Sequence, residues 1–106
     1  MVVYQKFRFS VNLEQLKALV GFLEMFLGAK ALKSPENIAI SYLVIRIYKR
    51  LMVLSMGIEN TGRQECKFTL NAFDAAALLC VTKQLDYDRL TAIERTVVYM
   101  VNDVIR

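Results

Sequence analysis

The chain has 106 residues, 14 Lys and Arg against 10 Asp and Glu, no His, two Cys and a 56% share of apolar residues. That length holds one core of useful size and leaves no room for a second, and an apolar share above the usual ~45–50% excludes a disordered chain. With no His, the usual neutral-pH proton carrier, the commonest metal-ligating ring and every Ser-His or Cys-His pair are missing, so the residues point away from an enzyme and name no metal or cofactor.

The first residues, MVVYQKFRFS, lack the long apolar stretch and small-residue cleavage site of a secretion signal. Within them Phe7, Phe9 and, just beyond, Val11 alternate with Lys6, Arg8 and Ser10, the period of a strand with one buried face. A helix follows directly. Ser10 or Asn12 can accept its free N–H groups, and Asn12 with Gln15 has the spacing of a capping box. Leu13, Leu16, Val20, Leu23 and Leu27 then recur at steps of three and four, with Leu19, Phe22 and Phe26 widening the stripe, and Gly28 closes it. Ser34 and Pro35 open a second helix as N-cap and first residue, with Ile38 to Met56 as its body. That run is long enough to test as a membrane span. Arg46, Lys49 and Arg50 in its middle would each cost several kcal/mol at a bilayer centre, so it reads as a buried helix of a protein without a membrane segment.

Two glycines and an Asn between Met56 and Arg63 break the pattern. Cys66, Phe68 and Leu70 then alternate with Glu65, Lys67 and Thr69, again strand-like, and Asn71 with Asp74 again resembles a cap. The next helix, Ala72 to Leu85, is apolar on every side through Ala75 to Val81, which predicts deep placement. Asp86-Tyr87-Asp88 reads as a turn, with an Asp capping a last helix from Arg89 to about Ile105. Cys66 and Cys80 form no C-x-x-C pair and read as two buried free thiols of a reducing, cytoplasmic compartment. Asp86 and Asp88 are two acids without further ligands and do not define a cation site. Tyr42, Tyr48 and Tyr99 lie on apolar helices and read as core or interface anchors.

Each half thus reads strand, helix, helix, and Lys6 to Glu14 matches Lys67 to Asp74 with one gap, the sign of an internal repeat spanning 1–56 and 64–106 inside a single domain, 1–106. The predicted fold is α-rich α+β: four helices and a short two-stranded antiparallel ribbon from residues near 3–10 and 64–70. Without the ribbon it would be a four-helix bundle. A ribbon of two strands is barely stable alone, so the helices must cover Phe7, Phe9, Phe68 and Leu70. This plan resembles the ribbon-helix-helix DNA-binding family, in which two separate chains each supply a strand and the ribbon's outward side chains enter the major groove. The resemblance implies an outward set of Tyr4, Lys6, Arg8 and Ser10 on one strand, with Glu65, Lys67 and Thr69 on the other. It also sets Asp86 and Asp88 where that family's second helix would offer N–H groups to phosphate.

Arg46, Lys49 and Arg50 share one helical face with no acid three or four residues away. The fold must bring an acid such as Glu94 or Asp103 to them, or an anionic partner must. The apolar excess predicts self-association, with a dimer favoured. Two functions compete. The first is a non-enzymatic interaction or assembly module. The alternative is a nucleic-acid binder using the Lys6, Arg8 and Lys67 ribbon or the Arg46, Lys49 and Arg50 face. A pI near 9.2 is only moderately basic, Glu65 interrupts the ribbon face and the turn acids Asp86 and Asp88 oppose phosphate, so the assembly module ranks first.

Overall fold

Four short polar side chains fix where the helices begin. The computed structural model describes residues 5–105. Strand β1 (Lys6–Val11) runs into α1 (Leu13–Ala29) through Asn12, whose Oδ1 accepts the Gln15 N–H at 2.8 Å while Gln15 Oε1 accepts the Asn12 N–H at 2.9 Å. Ser34 Oγ takes the Asn37 N–H at 3.1 Å at the start of α2 (Pro35–Thr61). Asn71 closes strand β2 (Cys66–Asn71) and accepts the Asp74 N–H at 2.8 Å to open α3 (Ala72–Lys83). Each such bond satisfies one of the four N–H groups that a helix start leaves free.

The last helix departs from the sequence expectation. Residues Tyr87–Arg89 form one 3-10 turn, and α4 spans Ala92–Ile105 rather than starting at Arg89. Its cap is Thr91, which exchanges bonds of 3.2 and 2.9 Å with Glu94. Asp86 makes no capping bond. Helix α2 likewise runs past Met56 to Thr61, because Gly57 is an ordinary helical residue and only Gly62 takes the left-handed conformation (φ 69°) that stops it. Helix α1 ends at Ala29, one residue after Gly28, and α3 ends at Lys83, two before Leu85.

The two strands pair antiparallel as a ribbon, with Phe7 opposite Leu70, Arg8 opposite Thr69 and Phe9 opposite Phe68. This is the predicted α-rich α+β fold, with four helices and one two-stranded antiparallel sheet among the described residues. The strands begin later than expected on β1, at Lys6, and on β2, at Cys66; residue 3 lies outside the described residues. The sequence match between the halves equates Arg8 with Thr69, and these two face each other across the ribbon. Exchanging the strands therefore maps the Phe7–Leu70 pair onto Phe68–Phe9, so the register is two-fold about Arg8 and Thr69.

Alternation puts Phe7, Phe9, Val11, Cys66, Phe68 and Leu70 on one side of the ribbon, all buried. Phe9 and Phe68 stack with centroids 5.1 Å apart. The helices close over this side, α1 and α3 each packing against both α2 and α4. Leu16, Leu19, Phe22, Leu23, Val44, Ile47, Leu51 and Leu78 complete a continuous core.

Two expectations about burial need correction. Helix α3 sets Ala75, Ala77, Leu78 and Val81 in the core, as its apolar run implies, but Cys80 is exposed while Cys66 is buried, and Phe73, ahead of that run, is 58% exposed. Tyr42 and Tyr99 are also exposed, not core residues, and Tyr48 is half-buried. Among the described residues, no helix is long and apolar enough to cross a membrane.

Candidate nucleic-acid interface

The opposite side of the ribbon is polar along its whole length. Lys6, Arg8 and Ser10 on β1 are exposed, as are Lys67 and Asn71 on β2, with Thr69 half-exposed between them. The pleat alone dictates this, since every second residue of a half-buried strand faces away from the core. Tyr4, the remaining expected member, lies outside the described residues. Glu65 precedes β2 and accepts a hydrogen bond from Ser10 Oγ, which holds it at one end of the ribbon. Asn71, absent from the expected set, belongs to it by the same two-residue step that links Lys67 and Thr69.

The basic face of α2 divides three ways. Arg46 Nη2 bonds Asp74 Oδ1; the Asp74 carboxylate is almost wholly buried in the first turn of α3, where the free N–H groups also favour a negative charge. Asp74 is thus the acid that offsets this face, in place of the expected Glu94 or Asp103. Lys49 is exposed and engaged in no ion pair among the described residues. Arg50 turns toward the ribbon and donates from Nη1 to the Thr69 carbonyl at 2.6 Å.

That bond brings together two groups which the sequence keeps apart. Arg8, Phe9, Ser10, Arg50, Lys67, Phe68 and Thr69 line one open cleft of about 520 Å³, the two Phe rings turned away from it into the core. No ion pair among the described residues engages Lys6, Arg8 or Lys67. The cleft can therefore present guanidinium and ammonium donors and a hydroxyl pair to one ligand.

Of the two turn acids, only the Asp86 carboxylate is engaged among the described residues, and Asp88 takes part through its backbone carbonyl. Asp86 pairs with Arg89 at 3.4 Å, and Arg95 donates to the Tyr87 and Asp88 carbonyls at 3.3 Å each while lying over the Tyr87 ring. The Tyr87 hydroxyl donates to that of Tyr99, which pushes the Tyr87 pKa above its ordinary value of 10. Among the described residues, no three acids or cysteines gather closely enough to hold a metal ion. No family model, curated protein or solved structure matches this chain, so the chemistry of the cleft is read from its own residues.

Proposed function

We propose that this protein binds nucleic acid, with the polar side of the ribbon set into the major groove of duplex DNA. The observation that carries the reading is the arrival of Arg50 beside Arg8 and Lys67, which turns two separate basic groups into one surface. The sequence alone ranks an assembly module first; this convergence reverses the order. A ribbon of two six-residue strands is about 20 Å long, and a major groove about 12 Å wide admits such a ribbon. Arg8 and Lys67 match the acceptors on guanine, Asn71 matches the adenine edge, and Ser10 and Thr69 take either partner. Arg50 and Lys6, at the margins, suit backbone phosphates.

Titration of labelled duplex DNA by fluorescence anisotropy tests this. With two phosphate contacts, Arg50 and Lys6, the affinity should fall with a log–log salt slope of about −2. Arg8→Ala with Lys67→Ala should abolish micromolar binding, and Arg50→Ala should weaken it and reduce the slope by about 1. Arg46→Ala, whose charge Asp74 already neutralises, should change it little. Absence of binding at low salt would reject the reading and leave the assembly module. That second reading is favoured by the apolar side chains that α2 exposes on a different face, so the two are compatible.

A further inference from the structure

Helix α2 carries two apolar faces, and its fold uses only one. Val44, Ile47, Leu51, Ser55 and Ile58 are buried against the rest of the chain. On the other side Ile38, Tyr42, Ile45, Lys49, Met52 and Met56 follow at steps of 4, 3, 4, 3 and 4, and every one of them is exposed. A helix face turned to water is normally polar. This one is five-sixths apolar, with Tyr42 at 79% and Met56 at 57% exposure. Its period of 3.5 is that of a seam between two helices, and it stays in line over about 27 Å at 1.5 Å per residue.

We infer that this seam is the contact between two copies of the chain, packed as an antiparallel α2 pair about a two-fold axis near Ile47. Several observations select a second copy in this orientation. The seam is self-complementary when reversed: Ile38 meets Met56 of the second copy, Tyr42 meets Met52 and Ile45 meets Lys49, each pairing one of the two alternating heptad sites with the other, as an antiparallel pair requires. A Met sulfur against an aromatic ring is a favourable contact. The Lys49 stem can cover Ile45 while its ammonium reaches water. A parallel pair would instead set Lys49 directly against Lys49, like charge on like.

The flank fits as well. Arg46 lies one position outside the seam, where it would approach its own counterpart near the axis; Asp74 neutralises it within each copy. The exposed seam side chains together with Val53 amount to roughly 600 Å², so pairing removes on the order of 1,200 Å², the lower edge of specific interfaces. The inference is independent of the nucleic-acid reading, because no seam residue lies on the ribbon.

Sedimentation and light scattering on the full chain, with far-UV circular dichroism as the check on folding, decide it. The wild-type protein should approach twice 12.2 kDa at micromolar concentration. Tyr42→Asp and Met52→Asp, both at exposed positions and each facing an apolar side chain of the second copy, should raise the dimer dissociation constant at least about a hundredfold with helicity retained, since each would bury an unpaired carboxylate. Lys49→Leu should tighten the dimer about tenfold or more. In a Cys80→Ser background, Tyr42→Cys with Met52→Cys should crosslink two copies on oxidation, whereas Ile38→Cys alone should not. A wild-type monomer at about 100 μM, whether the seam then serves another protein or a lipid surface, would overturn the inference. So would a dimer that survives both Asp variants, or a crosslink through Ile38→Cys alone, which only a parallel pair allows.

Discussion

Replacing Phe9 and Phe68 by Leu, singly and together, tests the ribbon where its register is most exposed to error. The two rings are 2% and 5% accessible, face each other across the strands and stack with 5.1 Å between centroids at 11°. Each single change removes part of a buried ring and leaves a small cavity, a loss of about 1–2 kcal/mol. The stacked pair adds a coupling of about 0.5–1.5 kcal/mol, so the double variant should lose less than the two singles combined. A domain of this size holds about 5–15 kcal/mol in all, and each kcal/mol moves Tm by about 4–6 °C, so all three variants remain folded and measurable. Urea unfolding followed by far-UV circular dichroism, with the m value held constant, gives the four free energies. A coupling within about 0.3 kcal/mol of zero would refute the pairing of these rings. A near-neutral Phe68→Leu would go further, because a slip of one residue would turn Phe68 to solvent.

Three other outcomes are expected. Gly57→Ala should stabilise the protein by about 0.5–1 kcal/mol, as Gly57 is helical with open space where a Cβ would stand, whereas Gly62→Ala should destabilise it by about 1–2 kcal/mol purely through its left-handed backbone; urea midpoints of opposite sign check both. A thiol reagent should label Cys80 at once and Cys66 only as the fold opens, read from the two rates in native protein and their convergence in denaturant. Tyr87 should ionise above pH 10 and return toward 10 in Tyr99→Phe, followed by near-UV absorbance. Because the fold favours the protonated phenol, its contribution to stability is complete below pH 10 and is lost as pH rises through the elevated value.

Local signals explain most of what could be read in advance. Asn12, Ser34 and Asn71 cap helices because the bonds they make reach only three residues ahead, and alternation placed Phe7, Phe9, Phe68 and Leu70 inward because the strand period leaves no choice. The end of α2 was ambiguous, since Gly57 and Gly62 are the same residue and only the backbone conformation separates a tolerated glycine from a stop. At the last helix, Asp86, Asp88 and Thr91 all have capping chemistry. The winner is Thr91, with Glu94 three residues on to return the bond. The cleft was only half legible. Lys6, Arg8 and Lys67 follow from strand alternation, but Arg46 finds its acid 28 residues away and Arg50 its carbonyl 19 residues away, distances at which no periodicity informs.

The ribbon has no hairpin turn. Ser10 and Glu65, bonded across it, are 55 residues apart, and everything between them is α1, α2 and their connections. In a hairpin the strands stay neighbours when the surrounding structure melts; here they are held together only by the helices packed beneath them, and closing so long a loop must come before any strand bond repays it. The polar face consequently exists or vanishes with global folding, and hydrogen exchange at the amides bonded between β1 and β2 should report the opening of the whole molecule. A cut at Arg63 would leave one strand on each fragment, so that recovery of the face would become second-order in concentration and the cleft would work as a sensor of whether both fragments had found each other.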